Sequence, residues 1–163
     1  MNNSTTTSLV DLLAQRLTLR GETFSVAESC TGGMIASLCT QRAGASKWFA
    51  GGLVAYSERI KHELLGVPMA LIESKGVVSA EVAEQMVLGA RKIFHADLSL
   101  ATTGIAGPSG AIPLYPVGSM WIALSYRDRL WSKFLFFKGG RESFIERASQ
   151  EVLRQAYSFI QKG

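Results

Sequence analysis

The sequence has few of the features that place a chain in a class at once. No apolar run approaches the roughly 20 residues that a helix needs to cross a bilayer. The first residues, MNNSTTT, lack the basic and then apolar layout of a secretory signal peptide. We therefore expect a cytoplasmic protein with no membrane partner.

Cysteine and histidine are scarce, with 2 residues of each. Cys30 and Cys39 lie nine residues apart in one predicted turn and helix, too far along it to bond each other, so reduced thiols are expected. His62 and His95 have no ligand partners nearby in the sequence, and each is expected at the surface or in a satisfied hydrogen bond. These counts favour neither a disulfide scaffold nor a metal site.

Charge is not concentrated in any segment. The chain has 17 Lys and Arg residues against 13 Asp and Glu residues, a net charge of +4, but the basic residues form no dense run. A nucleic-acid partner is therefore not favoured. A small anionic ligand, which one or two well-placed cations can satisfy, fits this pattern better.

What the sequence does have is the make-up of one globular domain. Its 163 residues, 47% of them hydrophobic, predict a single domain over residues 1–163, with residues 1–7 as a flexible tail. Apolar spacing and caps predict helices at 8–20, 31–42, 58–65, about 68–76 and about 79–93, and a last helix from about residue 142. Strands are predicted at 23–27, 48–56, 98–103, 117–126 and 130–137. Alternating helices and strands followed by a hairpin predict an α/β fold, a three-layer α/β/α sandwich with a mixed β-sheet.

The stretch AESCTGGM lies between a predicted strand and a predicted helix. In open α/β folds such turns lie at the carboxyl edge of the sheet, where ligands bind, and Ser29 stands in this one. A helix that begins near Thr31 would leave its first N–H groups free for an oxyanion or a phosphate, and Gly32 and Gly33 allow close approach. The alternative is that Ser29 or Thr31 only caps the helix.

Two further segments bear on that choice. In AYSERIKHELLG, Tyr56 ends a strand, Ser57 can cap the next helix, and Lys61 follows on its first turns. Lys61 is either a solvated surface charge or, if it faces Ser29 in a desolvated cleft, a base with a lowered pKa. The segment TTGIAGPSG is a glycine loop after a strand, either a plain loop or one that wraps an anionic group.

Four blocks of sequence carry a family resemblance: AESCTGG, GASKWFAGGLVAYSERIKHELLGV, GVVSAEVAEQM, and TTGIAGP followed by PVGSMWIAL. In order and spacing they resemble the CinA C-terminal domain family, also called PncC or nicotinamide-nucleotide amidohydrolase. The resemblance covers about residues 8–160. It implies a deamidase that converts nicotinamide mononucleotide, a phosphorylated pyridine nucleotide, to nicotinic acid mononucleotide and ammonia in pyridine-nucleotide salvage.

The resemblance also implies roles for particular residues. Ser29 is expected as the nucleophile, Lys61 as its base, and Tyr56 beside them. No metal and no cofactor are implied, and the implied assembly is a homo-oligomer, with a dimer expected. The residues expected to bind substrate are Glu28, Cys30, Thr31, Gly32, Gly33, Thr103, Gly104, Gly107, Gly110 and, for the phosphate, Arg141.

Two of these residues have a second interpretation. Glu28 either orients Lys61 or the substrate ribose, or simply favours the dipole of the helix that follows. Cys30 is expected to pack as a small apolar residue rather than to act as a nucleophile, because no histidine is near it in sequence.

The segment GPSGAIPLYPVG departs from the family pattern. Ala111 replaces a glycine, and Leu114 and Tyr115 stand where the family usually has Glu and Lys. Because the three residues expected in catalysis are all present, the chain is expected to be an active amidohydrolase with a modified loop. The alternative is a weak or inactive paralogue that binds a pyridine nucleotide or a related phosphorylated ligand. The strand LWSKFLFF is expected to be buried on both faces or covered by a partner subunit.

Overall fold

The computed structural model describes the backbone of residues 3–163 and the side chains of residues 9–163. Six α-helices are described: α1 (Asn3–Arg20), α2 (Met34–Thr40), α3 (Glu58–Leu65), α4 (Met69–Lys75), α5 (Ala80–Phe94) and α6 (Arg141–Gln161). Five strands are described: β1 (Phe24–Glu28), β2 (Phe49–Val54), β3 (Leu98–Gly104), β4 (Ser119–Tyr126) and β5 (Arg129–Phe136).

The strands form one mixed sheet in the order β2-β1-β3-β4-β5. β1 runs parallel to both β2 and β3, while β4 and β5 are antiparallel additions that close the sheet as a hairpin. Helices cover both faces of the sheet, so the predicted three-layer α/β/α sandwich is confirmed.

The two faces of the sheet carry side chains of different size. Strand side chains alternate between faces, and the large ones, such as Phe24 and Leu100, pack in a core with α1, α2 and α6. Small ones, such as Ala27 and Ala101, face α5 and its neighbours α3 and α4. Gly89 of α5 faces the Leu65 carbonyl at the end of α3, where a Cβ atom would lie 2.0 Å from that oxygen. This small-residue layer lets α5 lie close to the sheet and α3 lie close to α5.

Several predicted boundaries are wrong. α1 begins at Asn3 rather than at residue 8, because a polar run without glycine or proline does not stop a helix. The tail predicted over residues 1–7 is therefore helical from Asn3 onward, and Met1 and Asn2 lie outside the described residues. α2 begins at Met34 rather than near Thr31, because Gly32 and Gly33 have φ values of 62° and 96° that an α-helix does not accommodate.

β5 lies at an edge of the sheet and is not buried on both faces within this chain. Phe134 and Phe136 on this strand are 38% and 45% exposed. Coverage of β5 by a partner subunit stays a prediction. Trp48, by contrast, is buried in the core.

Candidate active site

Three loops converge at one edge of the sheet. β1, β2 and β3 are mutually parallel, so the residues that follow them leave from the same carboxyl edge. These are the turn at 29–33, the segment at 55–57 that leads into α3, and the loop that starts at Ile105. The residues singled out in the three sequence segments therefore meet in space.

Ser29 and Lys61 are in direct contact. The Lys61 Nζ atom donates hydrogen bonds to Ser29 Oγ at 2.9 Å and to the Ala55 carbonyl at 2.8 Å. Lys61 is 1% exposed and Ser29 is 7% exposed. The lysine is therefore a buried group aimed at the serine hydroxyl, and not the solvated surface charge that was the alternative.

Burial determines the protonation of Lys61. Loss of hydration lowers its pKa from 10.5 to about 8, and the charge of Glu58 on the same helix opposes part of that shift. A lysine with a pKa of about 8 has a neutral fraction of roughly a tenth at pH 7. That fraction carries a lone pair that can take a proton from the hydroxyl beside it.

The position of Lys61 beside Ser29 follows from the start and the faces of α3. Ser57 is its N-cap, as predicted, and the Ser57 side chain accepts a hydrogen bond from the Ile60 amide at 3.2 Å. The helix then presents Lys61 toward the sheet on its first turn, while Arg59 and Glu63 form an exposed ion pair on the opposite side. The cap and the amphipathic pattern together fix which residue faces Ser29.

The turn after β1 is capped from within by Glu28. Its buried carboxylate accepts hydrogen bonds from the Ile35 and Ala36 amides at 2.9 and 3.1 Å. The amides of Met34 and Ser37 bond to the carbonyls of Thr31 and Gly33, so all four first amides of α2 are occupied. These four amides are therefore not free to hold an oxyanion or a phosphate, and neither Ser29 nor Thr31 is the cap.

Tyr56 and Arg141 form the open side of the site. Arg141 is the first residue of α6, and it donates hydrogen bonds to Tyr56 Oη and to the Gly107 carbonyl, both at 2.7 Å. Tyr56 is 60% exposed. Arg141 thus joins the loop after β2 to the loop after β3 at the rim of the site.

These elements enclose a cleft of about 370 Å³. That volume falls within the usual range for small-molecule sites, about 300–1,000 Å³. The lining residues are Ser29, Cys30, Tyr56, Ser57, Glu58, Lys61, Val77, Thr103, Gly104 and Ala106.

The structure brings together six of the residues singled out from the sequence as lining of one cleft: Ser29, Cys30, Tyr56, Lys61, Thr103 and Gly104. The other candidates are not part of that lining. Glu28 and Thr31 are buried behind the turn, Arg141 reaches the rim through Tyr56, and the remaining glycines shape the backbone: Gly32, Gly33, Gly107 and Gly110.

Cys30 lines the cleft next to Ser29. Burial raises the pKa of its thiol to about 12, so the thiol is not a nucleophile at neutral pH. Cys30 and Cys39 are both free and buried.

Sequence reasoning missed four lining residues and one residue behind them. Ser57, Glu58, Val77 and Ala106 complete the wall of the cleft. Thr102 is fully buried and bonds to the Ser29 amide through its Oγ1 atom at 3.2 Å. A hydroxyl at the end of an otherwise buried strand, just before a glycine loop, is the signal that could have drawn attention to Thr102.

Among residues 9–163, no cluster of three or more His, Cys, Asp or Glu residues is placed to hold a metal ion. His62 is held by a hydrogen bond between its Nδ1 atom and the Val67 carbonyl at 2.8 Å. In the part of the chain that the structure describes, none of the helices is both long and apolar enough to cross a membrane.

Fold and site together define a class: a three-layer α/β domain with a buried serine and lysine pair at the carboxyl edge of its parallel strands. Comparison with known families agrees, since residues 6–160 match the CinA C-terminal domain. The chain belongs to the CinA C-terminal domain family.

Individual relatives support the assignment. A CinA-like protein of Geotalea daltonii is 51% identical over 122 residues, which is 75% of this chain and 30% of that protein. One of Mycobacterium sp. (strain JLS) is 42% identical over 157 residues, 96% of this chain and 37% of that protein. The chain thus spans about a third of the length of the curated relatives it matches.

Solved structures share the whole fold. The competence damage-inducible protein A of Klebsiella pneumoniae superposes with a TM-score of 0.93 at 28% identity, covering 96% of this chain and 97% of that one. The competence/damage inducible protein CihA of Agrobacterium tumefaciens gives a TM-score of 0.92 at 31% identity, covering 97% of each chain.

Proposed function

We propose that this chain is an amidohydrolase that removes the carboxamide nitrogen of nicotinamide mononucleotide by a serine and lysine mechanism in pyridine-nucleotide salvage. One observation carries the proposal: the Lys61 Nζ atom lies 2.9 Å from Ser29 Oγ, and both side chains are almost fully buried. Family membership supports the choice of substrate class.

Lys61 activates Ser29. In its neutral form, Nζ keeps donating to the Ala55 carbonyl, and this bond turns its lone pair toward the Ser29 hydroxyl proton. Ser29 Oγ then bonds to the carboxamide carbon while Nζ takes the proton. A lysine pKa of about 8 makes this transfer possible near neutral pH.

The tetrahedral oxyanion needs donors at the mouth of the cleft. Cys30 and Ala106 both line it, and neither backbone amide donates to a backbone carbonyl of residues 9–163. These two amides are the donors we assign to the oxyanion. The amides of Ser29 and Ile105 are not available, because they donate to the carbonyls of Thr102 and Ser119.

The second half of the reaction returns the proton. When the carbon–nitrogen bond breaks, the Lys61 ammonium protonates the leaving nitrogen and ammonia departs. Water then attacks the acyl-enzyme with Lys61 again as base, which yields the nicotinic acid product and free Ser29. Tyr56, which also lines the cleft, is the second group that can supply a proton.

Arg141 is the residue we assign to the phosphate. Its guanidinium lies at the rim, 2.7 Å from Tyr56 Oη, and a phosphate that enters there gains a charge-assisted bond. We propose that the chain works in the cytoplasm as a homodimer and needs no cofactor.

The test measures ammonia released from nicotinamide mononucleotide between pH 6 and pH 10. We expect release to rise about tenfold from pH 7 to a plateau above pH 8, the value to which burial lowers the pKa of Lys61, and to vanish in the Ser29→Ala variant. No release above that variant at high enzyme would contradict the proposal. If the nucleotide still raised the Tm of the protein, the binding-only paralogue would replace it.

A further inference from the structure

A chain of hydrogen bonds runs behind Ser29, on the side away from the cleft. The Ser29 amide, which donates to the Thr102 carbonyl at 3.1 Å, also donates to Thr102 Oγ1 at 3.2 Å. Thr102 Oγ1 lies 2.9 Å from Thr31 Oγ1. Thr31 Oγ1 lies in turn 2.8 Å from Glu28 Oε1. These hydrogen bonds join strand β3 to the end of β1 and to the turn that carries Ser29.

The direction of every bond in this chain is determined. The Thr31 hydroxyl donates its single proton to Glu28 Oε1. The Thr31 oxygen must then accept from the Thr102 hydroxyl, and the Thr102 oxygen accepts from the Ser29 amide. The bond from Thr31 to the Glu28 carboxylate therefore determines which atom donates in each of the other hydrogen bonds.

This series of hydrogen bonds is buried and is bonded to helix α2. Glu28, Thr31 and Thr102 are each at most 1% exposed, and none of them lines the cleft. The same carboxylate also accepts from the Ile35 and Ala36 amides of α2. The Ser29 backbone is therefore held by hydrogen bonds to a helix and a strand, two rigid elements. The side chains that form these bonds do not contact substrate.

We propose that Glu28, Thr31 and Thr102 are positioning residues that hold the Ser29 backbone so that its hydroxyl stays against Lys61. The inference rests on the proposed function and adds the means by which the nucleophile is aligned. Hydrogen-bonded groups in a low-dielectric interior are strong and directional, and a shift of the reacting atom of about 1 Å costs on the order of a hundredfold in rate.

Thr102→Val tests the proposal, because valine keeps the shape of threonine and removes only the hydroxyl. We expect kcat to fall by about 10-fold to 100-fold with KM within about threefold, since Thr102 does not line the cleft. Thr102→Ser restores the hydroxyl and should recover most of kcat. Thr31→Val removes the middle link and serves as a second variant if Thr102→Val does not fold.

The matched control is Ser99→Ala. Ser99 is a buried hydroxyl on the same strand, and its Oγ atom lies 2.8 Å from Ser25 Oγ, away from the turn. It should lose stability as Thr102→Val does but keep kcat. A second readout needs no substrate: amide hydrogen exchange at Ser29 should be about fivefold faster in Thr102→Val than in Ser99→Ala, because only the first variant removes one of the two bonds that this amide makes.

The outcomes separate the two proposals. A loss of kcat with faster exchange, both reversed by Thr102→Ser, supports the positioning role. Equal kcat and equal exchange in Thr102→Val and Ser99→Ala overturn it. If the wild-type protein releases no ammonia, the proposed function fails, and the exchange comparison alone then decides whether Thr102 holds the Ser29 backbone.

Discussion

The two walls of the cleft differ in how they are held. Ser29 and Lys61 form a dry wall, at 7% and 1% exposure, and hydrogen bonds from strand, turn and helix hold them from behind. Tyr56, with Arg141 beside it at the rim, forms an open wall, exposed to solvent and held by one bond between the two residues and one from Arg141 to the Gly107 carbonyl. The difference teaches why we assign proton transfer to the wall where burial lowers the pKa of Lys61, and ligand recognition to the wall whose side chains are exposed to solvent.

The largest effect is expected from Lys61→Met, which removes the base from the dry wall but keeps its apolar stem. We expect kcat to fall by at least about a thousandfold, because no other group on that wall can take the Ser29 proton. Ammonia release from nicotinamide mononucleotide measures it. Lys61→Arg should be as inactive, since a guanidinium does not lose its proton.

Lys61→Met also tests whether the amine of Lys61 is buried away from water. The folded-state pKa of Lys61, about 8, lies below its ordinary 10.5, so the unfolded chain binds more protons between these values and stability rises with pH there. From pH 7 to pH 10 the wild type should gain about 2 kcal/mol of unfolding free energy relative to Lys61→Met. Urea unfolding measures the gain. The wild type should show no such gain relative to Lys92→Met, a variant of an exposed lysine. An equal gain relative to both variants would show that the buried amine is not its source.

A smaller effect is expected from Arg141→Ala on the open wall. We expect kcat/KM for nicotinamide mononucleotide to fall by about 10-fold to 100-fold, mainly through KM, because a charge-assisted bond to phosphate is lost. Nicotinamide riboside, which lacks the phosphate, is the matched substrate. An equal loss with both substrates would show that Arg141 acts only by holding Tyr56 and the Gly107 loop.

The smallest effect is expected from Cys30→Ala. The thiol lines the cleft, but burial raises its pKa to about 12, so it takes no part in proton transfer. Activity should stay within about twofold of wild type in the same ammonia assay. A loss as deep as that of Ser29→Ala would assign the nucleophile to Cys30 instead.

Most of the fold could be predicted from local pattern. α3 (Glu58–Leu65) has the predicted bounds, and Ser57 and Ser79 cap their helices as expected, because caps and apolar spacing act over a few residues. The predicted start of α2 was wrong because two glycines in sequence are compatible both with the first turn of a helix and with left-handed residues before it. In the structure, Gly32 and Gly33 are left-handed and the helix begins after them.

The site was predictable only in part. Ser29 stands out in the turn after β1, and Tyr56 and Lys61 stand out in the segment after β2, with Lys61 already on α3. The role of Glu28 could not be decided, because a carboxylate before a helix favours the dipole in either interpretation, and only the fold shows its oxygens on the Ile35 and Ala36 amides. Thr102 carries no local signal of its bond to a residue 73 positions away.

The sequence by itself determined the elements, their order, and which polar residues follow the parallel strands, because these depend on neighbours along the chain. Only the tertiary structure decided that Lys61 is buried against Ser29, 32 positions earlier, rather than solvated. The physical reason is that a pKa depends on hydration and on nearby charge, and both are set when α3 packs against α5 and the edge of the sheet.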